Sequence, residues 1–180
     1  MILPPQRPMA SRAEITVKLL RARVQAAVSL VGVRGYYRDT MGERGKNDRG
    51  IYDDAIFLIA PNGFAAFNAN TDPSVSRKRI AVLAAGVWHY KIGTHGLSKP
   101  KAQQYTALVQ AGEVTVVRDQ VGPDTGYFGI NIHRGGHNGT SSLGCQTIWP
   151  DQWNAFIALV RSELARAGQK VIPYLLTDHA

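Results

Sequence analysis

The chain has 180 residues, 44% of them hydrophobic and 19% charged. That length and balance suit one globular domain with its own core and argue against disorder. Lys and Arg number 21 against 13 Asp and Glu, a net charge of +8, which draws a protein towards nucleic acid, anionic membrane or an acidic bacterial envelope without choosing among them. A single cysteine excludes an internal disulfide framework and zinc sites built on several thiolates.

The opening MILPPQRPMASR carries no apolar run long enough for a signal peptide. No stretch reaches the roughly 18 apolar residues of a membrane span, so no transmembrane anchor is expected and the protein is expected to stay cytoplasmic when made. Residues 1–10 read as a flexible lead and 11–180 as one domain. Ser11 and Glu14 have the spacing of a capping box, which starts a helix by satisfying two orphan N–H groups. The pattern predicts that helix to about Ser29, with Ile15, Leu19, Val24, Ala27 and Val28 on its apolar side. Lacking bulky aromatics, it reads as docked on a core rather than seeking a membrane.

Residues 32–50, rich in Gly, Arg and Asp, read as loop. Ile51–Ala60 is a strand, Asn62-Gly63 a hairpin turn and Phe64–Phe67 the return. Residues 68–76 (NANTDPSVS) are polar turn material. Val87–Ile92 and Val114–Arg118 are strands separated by a Lys- and Gly-containing loop, and Phe128–His133 is a further short strand. Pro150 and Asp151 suit a helix start. Trp153, Phe156, Ile157, Val160 and Leu164 then share one helical face, Gly168 stops the helix, and Val171–Leu176 closes the chain as a strand. The fold class expected is α+β, mainly β, with a helix near each end.

The stretch FGINIHRGGHNGTSSLGCQTI, residues 128–148, concentrates the chemistry. Alternation puts Phe128, Ile130 and Ile132 on one face and Gly129, Asn131 and His133 on the other. The strand thus presents an imidazole at its end. A glycine-rich turn leads to Ser141-Ser142-Leu143-Gly144-Cys145. Gly144 permits positive φ or a close backbone approach, and N–H groups nearby could receive an oxyanion. A neighbouring imidazole can lower a thiol's pKa by forming a thiolate–imidazolium pair. Small polar residues around Cys145 make poor core, which favours a nucleophile over a buried structural thiol.

Ile132-His133 followed by Ser142-Leu143-Gly144-Cys145 resembles the signature of the L,D-transpeptidase catalytic domain. Asp151, the amphipathic helix, Gly168 and the closing strand fill the places that follow in that family. The resemblance covers roughly residues 128–176; residues 51–118 resemble it only as β-hairpins. It implies a β-sandwich or barrel in which 11–180 is catalytic, with Cys145 as nucleophile and His133 as general base. Gly144 and Ser142 shape the site and its oxyanion hole, and no metal or organic cofactor is needed. Arg134, His95, Asn131 and Gln146 are the substrate-contact candidates. Members act on peptidoglycan stem peptides at a diaminopimelate centre, by hydrolysis or transpeptidation. Arg134 stands where the family has Gly, the His133–Cys145 loop is short, and Gln146-Thr147 replaces a hydrophobic-Arg pair. YYRDTMGERGKNDRGIYDDAIF and FNANTDPS also resemble small proteins carried by bacteriophages. An endolysin reaching the wall through a holin or another route suits that likeness.

Three alternatives compete. His89, His95, His133 and His137 suggest a zinc-dependent wall peptidase, although no His-x-His or His-Glu-x-x-His spacing occurs. Glu43, Asp53 and Asp54 suggest a muramidase-like glycan hydrolase, which uses two carboxylates. Arg77-Lys78-Arg79 and the lysines of 99–101 suggest a non-enzymatic basic wall-binding module. Without interleaved aromatics they read as solvated loop charge attracted to an anionic envelope, not as a specific nucleic-acid site.

Overall fold

A computed structural model gives the architecture and describes residues 8–178; residues 1–7 of the expected lead lie outside them. The elements run α1 (Arg12–Arg21), β1 (Ser29–Arg34), β2 (Asp54–Ala60), β3 (Gly63–Asn70), β4 (Ala81–Leu83), β5 (Gly86–His95), β6 (Tyr105–Gln110), β7 (Val114–Arg118), β8 (Gly122–Gly126), β9 (Ile132–Arg134), β10 (Gln146–Ile148), α2 (Pro150–Ala167) and β11 (Val171–Asp178). With 18% helix and 37% strand, the fold is α+β and mainly β. Eight strands close into a barrel in the order β1-β11-β5-β6-β9-β10-β3-β2, and β4-β7-β8 form a separate sheet. The β1–β11 and β9–β10 pairs are parallel; the other barrel pairs are antiparallel. No helix among the described residues is long and apolar enough to cross a membrane.

The Ser11–Glu14 capping box forms, but α1 ends at Arg21 rather than near Ser29. Arg23 turns the chain at φ 56°, and Ser29–Arg34 becomes a barrel strand. The apolar run misleads because β1 is buried on both faces. Leu30 joins the main core, while Val31 and Val33 lie in the cluster with Ile15 and Leu19 of α1. A strand covered on both sides has no alternation to read. β2 repeats the arrangement, with Ile56 and Leu58 in the main core and Ala55, Phe57 and Ile59 under α1. Fully burying an Ile or Leu contributes about 1.5–3 kcal/mol. Ile15 and Leu19, the buried residues of α1, therefore dock that short helix.

The hairpin joins β2 to β3 as expected, with Ala60 opposite Gly63; its loop residues are Pro61 and Asn62, and Gly63 already belongs to the return strand. α2 matches its expected span, and Gly168 caps it at φ 61°. Trp153, Phe156, Val160 and Leu164 are buried, with Phe156 edge-on to Phe67 at 5.1 Å. Gln152 fastens the helix to β3, accepting from the Asn68 N–H at 2.7 Å and donating to Asn68 Oδ1 at 3.1 Å.

Residues 68–72, within the stretch expected as polar turn, are buried, and 68–70 belong to β3. Many of their polar groups are bonded internally, while Asn68 Nδ2 and Asn70 Oδ1 have no partner among the described residues. Asp54 accepts from the Gly35 N–H at 2.5 Å, the Thr71 N–H at 2.5 Å and the Thr71 hydroxyl at 2.7 Å. Arg34 pairs with Asp72 at 3.3 Å and donates to the Thr71 and Leu83 carbonyls. Burial and the Asp54 charge push the Asp53 carboxyl up; burial and Asp72 do the same to Asp54.

Asp54→Ala strands two buried N–H groups and is expected to cost roughly 2–5 kcal/mol in urea unfolding. For Asp53 the folded state holds a proton that the unfolded chain releases near pH ~4. Stability is therefore expected to fall as pH rises from about 4 through the raised native titration. Asp53→Asn should flatten that decline, read as urea midpoints between about pH 5 and 9.

Candidate active site

His133 lies in β9, and Cys145 immediately precedes β10. The parallel register sets Gln146 opposite Ile132 and Thr147 opposite His133. One step earlier Cys145 falls opposite Asn131, whose carbonyl accepts the Gln146 N–H at 2.9 Å. With side chains alternating, Cys145, Asn131 and His133 share one side of the strand pair, and His133 is the diagonal neighbour of Cys145.

Regular pairing covers less of this stretch than the expected strand 128–133. Gly129 adopts φ 71°, so the segment before Ile132 departs from the ladder. It still keeps Ile130 and Ile132 in the core, with Phe128 packed against them. Gln110 replaces the missing ladder. Its side-chain oxygen accepts from the Phe128 and Ile130 N–H groups at 3.2 and 3.1 Å. Its amide nitrogen donates to the Gly112 and Gly126 carbonyls, each at 2.9 Å.

The half-buried thiol hydrogen-bonds to backbone. Sγ accepts from the Asn131 N–H at 3.4 Å and donates to the Gly129 carbonyl at 3.4 Å. Gly144, before it, has φ 134°, and a Cβ there would sit 2.7 Å from the Ala81 carbonyl oxygen, so glycine is required on both counts. Ser142 ties the turn. Its hydroxyl donates to the Cys145 carbonyl at 2.6 Å and accepts the Gly144 N–H at 3.0 Å. Its own N–H reaches Ser74 Oγ at 2.8 Å. The Gly144 N–H is therefore taken, whereas the Cys145 N–H has no partner among the described residues.

His133 is buried, 4% exposed. Its Nδ1 lies 2.8 Å from the Arg134 carbonyl oxygen. A carbonyl only accepts, so Nδ1 carries the proton and Nε2 is left as the acceptor. The His95 ring stacks on it, centroids 4.0 Å apart and planes at 20°. His95 has the opposite tautomer. The Gln110 N–H donates to Asn131 Oδ1 at 3.2 Å, which turns the Asn131 amide group towards His95 Nδ1 at 3.3 Å. His95 Nδ1 is thus the acceptor and its Nε2 bears the proton. Tyr105 closes another side, its hydroxyl 3.4 Å from His133 Nδ1, with the Arg134 guanidinium 5.2 Å over its ring.

Burial, then His95, takes the His133 pKa down to about 4. Burial pushes the Cys145 thiol up, with the Asn131 N–H working against it. Burial, then Lys99, also lowers His95. Both shifts run against the thiolate–imidazolium pair that a neighbouring imidazole can form with a thiol, and favour a neutral thiol and a neutral imidazole.

Of the expected substrate contacts, His95 and Asn131 border His133, and Arg134 is exposed beside Tyr105. Gln146 does not join them. It is fully buried, donates to the Thr71 and Gly144 carbonyls, and accepts from the Tyr174 hydroxyl at 3.1 Å. The first barrel position after the thiol points inward, so an amide there serves the turn. His89 is exposed, and His137 is exposed and pairs with Asp151 at 2.8 Å. Among the described residues no three His, Cys, Asp or Glu side chains group to hold a metal ion. Glu43 is exposed and paired with Lys46, while Asp53 and Asp54 are buried, so the three carboxyls do not flank a common opening. Tyr105 and Gln110 lie in β6, inside the span that the sequence pattern reads as loop. The alternation in Tyr105, Ala107 and Val109 was the available signal.

Searches against protein-family models, curated proteins and solved structures return no match.

With one cysteine in the chain and seven tyrosines whose phenolates also absorb there, the 240 nm absorbance that Cys145→Ala removes reports this thiolate alone. Absorbance is expected to rise only above the ordinary thiol pKa of ~8.5, while the NMR resonances of His133 stay those of a neutral ring at pH ~6, below an ordinary histidine's pKa of ~6.5. Thiolate absorbance at pH 7 would contradict the neutral pair.

Proposed function

We propose that this chain is a cysteine-dependent peptidoglycan peptidase of the L,D-transpeptidase type, cutting stem peptides as a phage endolysin. The observation that carries the reading is the anchoring of His133. Its Nδ1–H is spent on the Arg134 carbonyl, so Nε2 remains as the base on the strand beside the thiol.

The neutral resting pair defines the chemistry. Cys145 Sγ attacks the amide carbonyl carbon as His133 Nε2 takes the thiol proton. General-base assistance of this kind contributes about 10²–10⁴-fold. The carbonyl oxygen becomes an oxyanion, for which the unpartnered Cys145 N–H is the available backbone donor. The C–N bond breaks, and the amine leaves with the proton from His133. Water, deprotonated by His133, then cleaves the thioester, releasing the acid and restoring the thiol. An amine in place of water gives transpeptidation from the same acyl-enzyme. The ring stack with His95 keeps the His133 imidazole in plane through both proton transfers.

Purified protein incubated with isolated murein is expected to release stem-peptide fragments identifiable by mass spectrometry. Cys145→Ala should abolish release, and His133→Gln should reduce kcat by roughly 10²–10⁴ while both variants keep the wild-type circular dichroism. Undiminished release by Cys145→Ala would overturn the cysteine mechanism, and reducing sugar ends surviving that change would point to glycan cleavage.

A further inference from the structure

Helix α1 is apolar on two sides. Ile15 and Leu19 are its buried residues and dock it on the barrel. Ala13, Val17 and Leu20, spaced by four and three, share the opposite side. All three are exposed, Val17 to 42% and Leu20 to 67%. One apolar stripe is what a surface helix needs for docking, so the second is surplus to the fold. The apolar surface continues past the helix end. A groove of about 590 Å³ there has Val24, Val87, Val171 and Pro173 in its walls, with Arg23, His89 and Gln169 also lining it, and Val171 is 40% exposed.

The charge beside this stripe has one sign. Lys18 is half-buried on the helix flank, and Arg21 and Arg23 are exposed. None of the three pairs with a carboxylate among the described residues. Glu14, the one acid of α1, is engaged at the far end, where it accepts from the Ser11 N–H and hydroxyl at 2.7 Å each. The surface is also held in place. The Arg23 N–H donates to the Leu20 carbonyl and the Val24 N–H to the Leu19 carbonyl, each at 3.0 Å, which fixes the turn that ends α1. Gln169 fixes the groove behind it. Its side-chain oxygen accepts from the Val28 N–H at 2.9 Å, and its amide nitrogen donates to the Val28 and Val171 carbonyls at 2.8 Å each.

We propose that this face lies on the surface of an anionic lipid bilayer, with Val17 and Leu20 entering the boundary between headgroups and acyl chains and Lys18, Arg21 and Arg23 meeting lipid phosphates. Val171 extends the apolar contact at the groove. An exposed apolar stripe bordered by cations is what a helix lying in a membrane interface presents, and the cations are matched by the negative charge of the lipids. A second copy of the chain fits worse, because a two-fold contact across the stripe would set the same three cations against each other. A nucleic acid would answer the cations but leave Val17 and Leu20 facing phosphates. The assignment is independent of the peptidase reading, since no residue of the Cys145 site takes part.

The test is co-sedimentation of the full chain with vesicles of phosphatidylcholine alone and with vesicles carrying about 30% phosphatidylglycerol. At low ionic strength the wild type is expected to partition at least about tenfold more strongly onto the anionic vesicles, and to be released in about 0.5 M salt. V17S/L20S should weaken that partition roughly tenfold or more, and K18Q/R21Q/R23Q roughly 10²-fold, each variant keeping the wild-type circular dichroism. Equal partition of the wild type onto both kinds of vesicle overturns the proposal. So does wild-type binding by V17S/L20S, which would leave only the diffuse attraction of a basic protein to anions. A concentration-dependent dimer in lipid-free solution that V17S/L20S abolishes would assign the stripe to a second copy and also overturn it. If a combined variant does not fold, L20S and R21Q singly serve the same comparison, each with a partial loss. Cys145→Ala should bind the anionic vesicles as the wild type does. A protein inert towards murein that still binds them loses the peptidase reading and keeps the membrane face, and an active protein that ignores them loses only the face.

Discussion

The parallel pairing of β9 with β10 is the constraint on which the site depends. Antiparallel neighbours can be joined by a two-residue turn, but parallel ones need a crossover, and here the crossover is the segment between Arg134 and Gln146. Within it the chain must rise, return and enter β10 in the same direction as β9. Gly135 abuts the Tyr52 ring, Gly144 abuts the Ala81 carbonyl, and the Tyr52 hydroxyl donates to the Gly136 carbonyl at 2.7 Å. The glycines are where the crossover passes against other parts of the protein. β6 borders β9 and β3 borders β10, so neither short strand is an edge that could slip or pair elsewhere.

The buried acid belt supports the same loop from below. Asp54 holds Thr71, and Arg34 holds Asp72. Two residues further, Ser74 exchanges hydrogen bonds with Ser142, its N–H to the Ser142 carbonyl at 2.9 Å and its hydroxyl from the Ser142 N–H at 2.8 Å. Ser142 in turn fixes the Cys145 carbonyl. Burying carboxyls is costly unless they are well bonded. Here the bonds reach through Thr71 and Ser74 to the turn that carries the thiol, which couples the stability of the barrel to the geometry of its reactive group.

Burial also sets the electrostatics. A buried imidazole loses affinity for its proton, and a buried thiol holds on to it. Both changes oppose a preformed ion pair between Cys145 and His133. The two stacked imidazoles have complementary tautomers because each is fixed by a different partner, His133 by the Arg134 carbonyl and His95 by the Asn131 amide. One ring therefore offers an acceptor and the other a donor within the same stack.

What the sequence determined is local. Ser11 and Glu14 made a capping box, Gly168 a left-handed helix stop, and alternation from Phe128 to Ile132 an apolar face. Each rests on contacts within a few residues, where residue type and spacing suffice. That a glycine-rich turn separates His133 from Cys145 was legible too. What only the tertiary structure decided depends on distant partners. Ser29–Arg34 became a strand because β2 and β11 flank it and α1 covers it. Residues 68–72 became buried where Asp54, Arg34 and Gln152 answer many of their polar groups. Gln146 was turned inward by Tyr174 and Thr71, and Tyr105 and His95 were brought to His133 by antiparallel pairing of β5 with β6. Burial is a property of the closed barrel, so the lowered pKa of His133 and the raised pKa of Cys145 were decided there and not by the spacing of the two residues in the chain.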